Sequence, residues 1–146
     1  IGRCDTMQQT KELPACPVET TLMLIGDKWK VLILRDLMSG TKRFGELKKS
    51  IGHVTQKVLT AQLRDMEAKG LLTRKVYAEV PPRVEYTLTA TGYSLRPILD
   101  SMVAWGTDYQ KQNGGAPCHK TACTAEIAAK IPCTQVLGTY TVTFDR

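Results

Sequence analysis

Thiols are the side chains in this sequence best suited to covalent chemistry, and Cys16 has the most informative surroundings. It directly precedes Pro17 and Glu19, residue types that favour the first turn of a helix. A thiol at a helix start faces unpaired backbone N–H groups, which stabilise the reactive thiolate. This pattern predicts a cysteine that oxidants or electrophiles modify. An inert cysteine packed beneath the helices that join two copies of the chain is the alternative.

A second group of possible ligands or redox partners lies near the C-terminus and comprises Cys118, His119, Cys123 and Cys133. Three thiols and an imidazole can bind zinc, but this spacing lacks the paired C-x2-C knuckles that are typical of zinc sites. Exchange of disulfides with Cys16 is a second interpretation, and a structural tail is a third. We therefore predict no metal site and no cofactor.

Cysteine number and hydropathy bear on the compartment. Five cysteines form an odd set for a secreted disulfide framework. No stretch approaches the roughly 18 apolar residues that span a bilayer, and the N-terminus lacks the layout of a signal peptide. We expect a soluble, cytoplasmic protein with no membrane partner. Met7 is a candidate native start, so residues 1–6 carry no functional weight here.

The positive charge is concentrated in one segment. The chain has a formal net charge of +6, and residues 26–83 hold thirteen basic and six acidic side chains. A basic segment of this kind favours a polyanionic partner, although charged runs also serve as plain solvated faces.

Apolar spacing predicts a series of short helices in the first half of the chain. The first two, over 17–25 and 29–37, are separated by a break at Gly26-Asp27. A third helix is predicted over 43–50, and a fourth runs from an N-cap at Thr55 to Gly70.

β-Type residues follow, over 72–77 and 84–88, and a proline-containing segment between them predicts a hairpin. One further helix is expected from about residue 89 to 112. Beyond a Gly/Pro linker at 113–117, we expect a short helix over 124–131 and a strand over 140–144.

Helices followed by a hairpin, with a basic centre, are typical of a winged helix-turn-helix whose fourth helix enters the DNA major groove. On that helix, projection at 100° per residue places Leu59, Leu63 and Met66 opposite a small, polar and basic face. Arg74 and Lys75 on the hairpin are further candidates for phosphates. The residues predicted to contact DNA are Lys42, Arg43, Thr55, Gln56, Lys57, Thr60, Arg64 and Arg83.

Two other classes of function receive less support from the residues. A thiol-dependent enzyme is disfavoured because the sequence lacks C-x-x-C, a recognisable catalytic pairing and a Gly-rich phosphate loop. A winged helix that binds a protein instead of DNA is the second alternative.

Six segments carry a resemblance to a known family. The sequence resembles the HxlR family of bacterial transcription regulators from about Cys16 to Gln110, or 95 of 146 residues. The wing sequence and Gly-Asp-Lys-Trp are the specific parts of the match. The matching segments are Cys16-Pro-Val-Glu19, Ile25-Gly-Asp-Lys-Trp-Lys30, Gly40-Thr-Lys-Arg-Phe-Gly-Glu-Leu47, Thr55-Gln-Lys-Val-Leu59, Leu63-Arg-Asp-Met-Glu67 and Val80-Pro-Pro-Arg-Val-Glu-Tyr-Thr-Leu-Thr89.

The resemblance implies a mainly α fold with a small β-hairpin wing, of the wider MarR type. Such proteins dimerise through their first and last helices and bind double-stranded DNA at a palindromic operator. The long apolar stripe of the last helix agrees with this, although those residues could instead close the monomer core. The expected interface residues are Leu22, Ile98, Met102 and Trp105.

The resemblance also bears on Cys16 and on domain limits. Cys16 matches the cysteine with which several family members sense quinones, aldehydes or oxidants, sometimes through a disulfide between subunits. Control by a ligand bound without covalent chemistry remains the alternative. We divide the chain into an N-terminal arm (1–15), a winged helix-turn-helix domain (16–112) and a Cys-containing extension (113–146).

Overall fold

The computed structural model describes residues 12–115, so the tail cysteines and the elements predicted over 124–131 and 140–144 lie outside the described residues. The described part is mainly helical with one small antiparallel sheet, which confirms the predicted fold class. Its elements in chain order are α1 (Pro17–Ile25), α2 (Lys28–Leu37), β1 (Lys42–Arg43), α3 (Phe44–Ile51), α4 (Gln56–Ala68), β2 (Leu72–Tyr77), β3 (Arg83–Leu88), α5 (Ala90–Ser94) and α6 (Arg96–Gln112).

The predicted break between the first two helices is confirmed. Asp27 is the N-cap of α2, and its Oδ1 accepts a hydrogen bond from the backbone N–H of Trp29 at 2.8 Å. An Asp at this position satisfies one of the backbone donors that a helix start leaves unpaired, so α2 begins as a separate helix.

Helices α3 and α4 form the predicted helix-turn-helix. Gly52 ends α3 with φ +86°, a left-handed conformation that favours glycine. Thr55 then caps α4, because its Oγ1 accepts from the backbone N–H of Val58 at 3.2 Å. The turn and the cap together determine where α4 begins.

The sheet has one strand more than the sequence predicted. Strand β1 pairs with β3, which also pairs with β2, giving the order β1-β3-β2. Arg43 was predicted as the start of a helix, but its backbone is extended and its partner across the sheet is Glu85. Two residues are too few for an alternating pattern, and their partner strand is distant in the sequence.

A single last helix over 89–112 is wrong, because the structure has two helices, α5 and α6, that meet at Leu95. Pro97 explains the division, since it has no N–H for the carbonyl of Tyr93 and its ring crowds that carbonyl. At the start of α5, Thr89 Oγ1 accepts from the N–H of Gly92 and donates to the carbonyl of Gly70.

The core lies between α2, α3, α4 and the sheet, and α6 is nearly outside it. Leu99 is the one buried residue among the 17 of α6. The side chains with less than 2% exposure are Ile33, Leu34, Leu37, Leu47, Leu59, Leu63, Met66, Leu71 and Leu72. The core therefore packs around α4 and leaves most of α6 uncovered.

Candidate nucleic-acid interface

Helix α4 has the two faces that the sequence predicted. Leu59, Leu63 and Met66 are at most 1% exposed and pack in the core, whereas Lys57 and Arg64 are exposed. Neither cation forms an ion pair with any residue in 12–115. The predicted inner and outer faces are confirmed, and the outer one offers unpaired positive charge to a polyanion.

The first turn of α4 adds hydrogen-bonding groups. Thr55 and Gln56 are exposed there, and the Thr55 hydroxyl keeps its proton to donate because its oxygen is the acceptor in the cap. Thr60 differs, since its hydroxyl already donates to the carbonyl of Gln56 at 2.8 Å. Thr60 therefore offers acceptor lone pairs and a methyl group, which suit base edges better than phosphates.

Strand β1 places two more predicted contacts beside the helix-turn-helix. Lys42 is half-buried and Arg43 is exposed, and both line a shallow pocket with Glu46 and Glu85. The Arg43 backbone N–H donates to Glu46 Oε2 at 2.7 Å, which anchors the start of α3 and leaves the Arg43 side chain in solvent.

Arg83 lies on the outer face of the wing, turned away from α4. Its guanidinium is held by Glu79 at 3.2 Å and by Glu85 at 3.5 Å, and it stacks 4.0 Å from the ring centre of Tyr77. The sequence predicted a cation that contacts DNA. In the structure this cation is neutralised by its own hairpin, so reaching DNA requires breaking these contacts.

The inner face of the wing turns toward α4 and carries residues that sequence reasoning did not separate from the rest. Arg74 lies directly across from Tyr86 in the pairing of β2 with β3. A cleft of about 180 Å³ is lined by Thr60, Arg64, Glu67, Arg74, Val84 and Tyr86. The alternation of side chains along a strand could have predicted this separation from the sequence, because residues 72, 74 and 76 share one face and residues 73, 75 and 77 share the other.

A polar network ties the side of α4 to α1 and α2. Asp65 Oδ2 accepts from Lys30 Nζ at 2.7 Å and from Lys69 Nζ at 2.9 Å. Lys69 Nζ also donates to the carbonyl of Met23, in the last turn of α1, at 2.9 Å. The hydrogen bonds from Lys30 and Lys69 hold the pKa of Asp65 below its usual value.

Cys16 occupies the N-cap position of α1 as an exposed, free thiol. Its side chain makes no capping hydrogen bond, so the sulfur faces solvent next to the helix start. The alternative, an inert cysteine that packs beneath the dimer helices, concerns contacts with a second chain and stays a prediction.

Helices α1 and α6 each expose large apolar side chains. Leu22, Met102 and Trp105 are 58%, 49% and 69% exposed, whereas Ile98 is half-buried against the core. Sequence reasoning missed two neighbours, Val18 on α1 and Tyr109 on α6, whose ring stacks on Trp105 with centroids 5.2 Å apart. Val18 lies four residues before Leu22, and Tyr109 lies four residues after Trp105. Residues four apart share one face of a helix, so the sequence could have indicated both.

Residues 12–115 lack the features of two other kinds of site. No group of three or more His, Cys, Asp or Glu side chains there is arranged to hold a metal ion. None of the helices in this part of the chain has the length and apolar character needed to span a bilayer.

Comparisons with known proteins agree with this geometry. The sequence profile of the HxlR-like helix-turn-helix family matches residues 24–114. The HTH-type transcriptional regulator YdeP of Bacillus subtilis is 48% identical over 99 residues, which are 68% of this chain and 77% of YdeP.

Two solved structures are similar in both fold and sequence. The redox regulator HypR in its oxidised form gives a TM-score of 0.61 at 47% identity, covering 64% of this chain and 96% of HypR. Quinone-bound YodB from Bacillus subtilis gives 0.54 at 34% identity, covering 64% and 99% of the two chains. The predicted resemblance is confirmed: the chain belongs to the HxlR-like helix-turn-helix family, whose members are DNA-binding transcriptional regulators and not enzymes.

Proposed function

We propose that this transcriptional regulator is a homodimer that binds a palindromic operator and changes its DNA affinity when an oxidant or electrophile modifies Cys16. The observation that carries the DNA-binding part is the outer face of α4, where Lys57 and Arg64 are exposed and form no ion pair with residues 12–115, while Leu59, Leu63 and Met66 on the opposite face are buried. Since the target is chromosomal DNA, the proposal places the protein in the cytoplasm.

The outer surface of α4 supports direct contact with bases. Gln56 and Lys57 in the first turn reach furthest into a groove that the helix enters by its N-terminus, and Thr60 follows one turn later. Amide, ammonium and hydroxyl groups are the side chains that discriminate base edges in the major groove. Lys42, Arg43 and Thr55 flank this surface and suit the phosphates on either side.

The apolar surface of α1 and α6 supports the homodimer. Leu22, Met102, Trp105 and Tyr109 are large, apolar and about half or more exposed, and soluble domains seldom leave such groups uncovered. A second copy of the chain is the simplest cover, because a twofold axis pairs the same surface with itself. The two α4 helices of a dimer then address two half-sites.

The exposure of Cys16 supports the sensing step. A solvent-accessible thiol at a helix start can react, as its thiolate, with oxidants and electrophiles. HypR is a redox regulator and YodB has been solved with quinone bound, and both are similar to this chain in sequence and fold. Cys16 also begins the helix that carries Val18 and Leu22, so a modification there acts next to the proposed dimer surface.

Binding to DNA from the protein's own promoter region, followed by fluorescence anisotropy over a range of salt, tests the DNA contacts. We expect Lys57→Ala to weaken specific binding by about fivefold to 100-fold, because a base or phosphate contact is lost in each subunit. Lys111→Ala removes the same charge from an exposed position on α6 and is the matched control. Unchanged affinity and salt dependence in both Lys57→Ala and Arg64→Ala would show that α4 does not contact DNA.

The same binding assay with and without diamide tests Cys16. We expect the intact chain to lose affinity on oxidation and Cys16→Ser to keep it. A variant with Cys118, Cys123 and Cys133 all changed to Ser is the control and should respond like the intact chain. If Cys16→Ser responds normally to diamide and to a quinone, the sensing proposal is wrong and the DNA-binding proposal stands.

A further inference from the structure

The cleft between α4 and the inner face of the wing gathers groups that suit an anion. Arg64 comes from α4 and Arg74 from β2, and neither forms an ion pair with a residue in the described range 12–115. The cleft measures about 180 Å³ and opens to solvent between the two elements. Two guanidinium groups therefore converge on one space without carboxylates bonded to them.

Tyr86 is the third unusual group in this cleft. The residue is 7% exposed, and its hydroxyl has no hydrogen-bond partner among the residues the structure describes. Burial raises the pKa of its phenol above the usual value, with Arg74 and Arg64 opposing this and Glu67 adding to it. The phenol is thus neutral at physiological pH and keeps a proton that it can donate.

The proposed mode of DNA binding determines what passes over the cleft. With α4 in a major groove, the wing reaches the neighbouring minor groove. One sugar–phosphate strand separates these two grooves, and it must cross the space between the helix and the wing. The cleft lies in this space, so its natural occupant is a backbone phosphate of that strand.

We propose that this cleft is a phosphate site, in which Arg64 and Arg74 bind one backbone phosphate from two sides and the Tyr86 hydroxyl donates to it. The assignment rests on the proposed DNA-binding function and makes it more specific. Arg64 then contacts a phosphate and fixes the position of α4 in the groove. Gln56, Lys57 and Thr60 contact the base edges.

The cations of the wing have different roles on the two faces of the sheet. Arg74 faces the phosphate, whereas Arg83 is held by Glu79 and Glu85 on the opposite face of the sheet. Lys75 lies on that outer face too, 4.8 Å from the ring centre of Tyr77. Glu67 lines the cleft as a carboxylate and opposes the phosphate, so neutralising it should strengthen binding.

Salt-dependent binding to the mapped operator and to an unrelated duplex tests the site. We expect Arg74→Ala to weaken both complexes by about tenfold or more and to reduce the salt slope by about two, one phosphate contact per subunit. Lys75→Ala is the charge-matched control from the next residue and should change the slope by less than half as much. Glu67→Gln should tighten both complexes several-fold, and Tyr86→Phe should weaken them without changing the slope.

A duplex with single neutral methylphosphonates gives a second readout. The affinity of the intact protein should fall when a methylphosphonate replaces the phosphate between the two grooves. The affinity of Arg74→Ala should not fall further at that position, because the variant has already lost this contact. Equal salt slopes for Arg74→Ala and Lys75→Ala, or additive losses at every methylphosphonate, would overturn the phosphate site. An intact protein that fails to prefer any promoter DNA would instead overturn the proposed function itself.

Discussion

Helices α4 and α6 both carry an apolar stripe, but the domain holds them very differently. In α4, three apolar side chains are at most 1% exposed, Thr55 caps the first turn, and Asp65 joins the helix to Lys30. In α6, Leu99 is the one buried residue, and Met102, Trp105 and Tyr109 stand in solvent. The same type of sequence pattern is thus buried in the core in α4 and mostly exposed in α6.

The contrast teaches which part of the protein is complete as a monomer. Leu59, Leu63 and Met66 of α4 are buried in the core of a single chain, so the position of α4 is set within that chain. On α6, by contrast, the described residues cover Leu99 and part of Ile98 but leave Met102, Trp105 and Tyr109 about half or more exposed, which agrees with the proposed homodimer. In the proposed homodimer, the α4 surface is fixed within each chain, and modification of Cys16 changes the spacing between the two α4 helices.

The largest expected effect comes from the buried face of α4. Leu63→Ala should lower the free energy of unfolding by about 2–5 kcal/mol, because it removes a fully buried side chain and leaves a cavity. Urea unfolding followed by circular dichroism measures this. Val76→Ala, at a position 53% exposed on the wing, is the control and should cost less than about 1 kcal/mol. If Leu63→Ala lowers the free energy of unfolding no more than the control does, the claim that α4 is held by its buried face, unlike α6, is wrong.

A smaller effect on folding, but a large one on association, is expected from α6. Trp105→Glu should weaken self-association by about 2 kcal/mol or more, since a large aromatic anchor is replaced by a charge. Sedimentation equilibrium measures the association, and circular dichroism should show an unchanged monomer fold. Thr107→Glu introduces the same charge on the opposite side of the helix and should leave association intact. An undiminished dimer of Trp105→Glu would place the interface elsewhere.

The smallest effect is expected from the network at Asp65. Asp65→Asn should cost less than about 1 kcal/mol at neutral pH, because the Asp65 side chain is 41% exposed and water screens its pairs with Lys30 and Lys69. Since the folded state lowers the pKa of Asp65, its contribution is complete above the ordinary value of 3.8 and is lost as the pH falls below it.

Urea unfolding at pH 7 and pH 3 checks this dependence. The difference between the intact protein and Asp65→Asn should shrink at pH 3, and Asp108→Asn, an exposed carboxylate on α6, should show no such change. A difference that is equal at both pH values would mean that the charge of Asp65 does not hold α4.

Local features were predictable because neighbouring residues decide them. The cap at Thr55, the break at Asp27 and the division of α4 into two faces follow from backbone donors and a period of 3.6 residues, so the printed sequence contains them. The division at Pro97 was equally local and was available in the sequence, but the long apolar stripe of 89–112 concealed it.

The amino-acid sequence by itself determined the family, the helix-turn-helix, the basic outer face of α4 and the position of Cys16 at a helix start. Only the tertiary structure decided that Arg43 belongs to a strand paired with Glu85, that Arg83 is neutralised by its own hairpin, and that Arg64 and Arg74 share a cleft with Tyr86. These facts join residues that are far apart in the chain or that lie on opposite faces of one hairpin. Their proximity depends on strand register and on how α4 packs against the sheet, which no local pattern encodes.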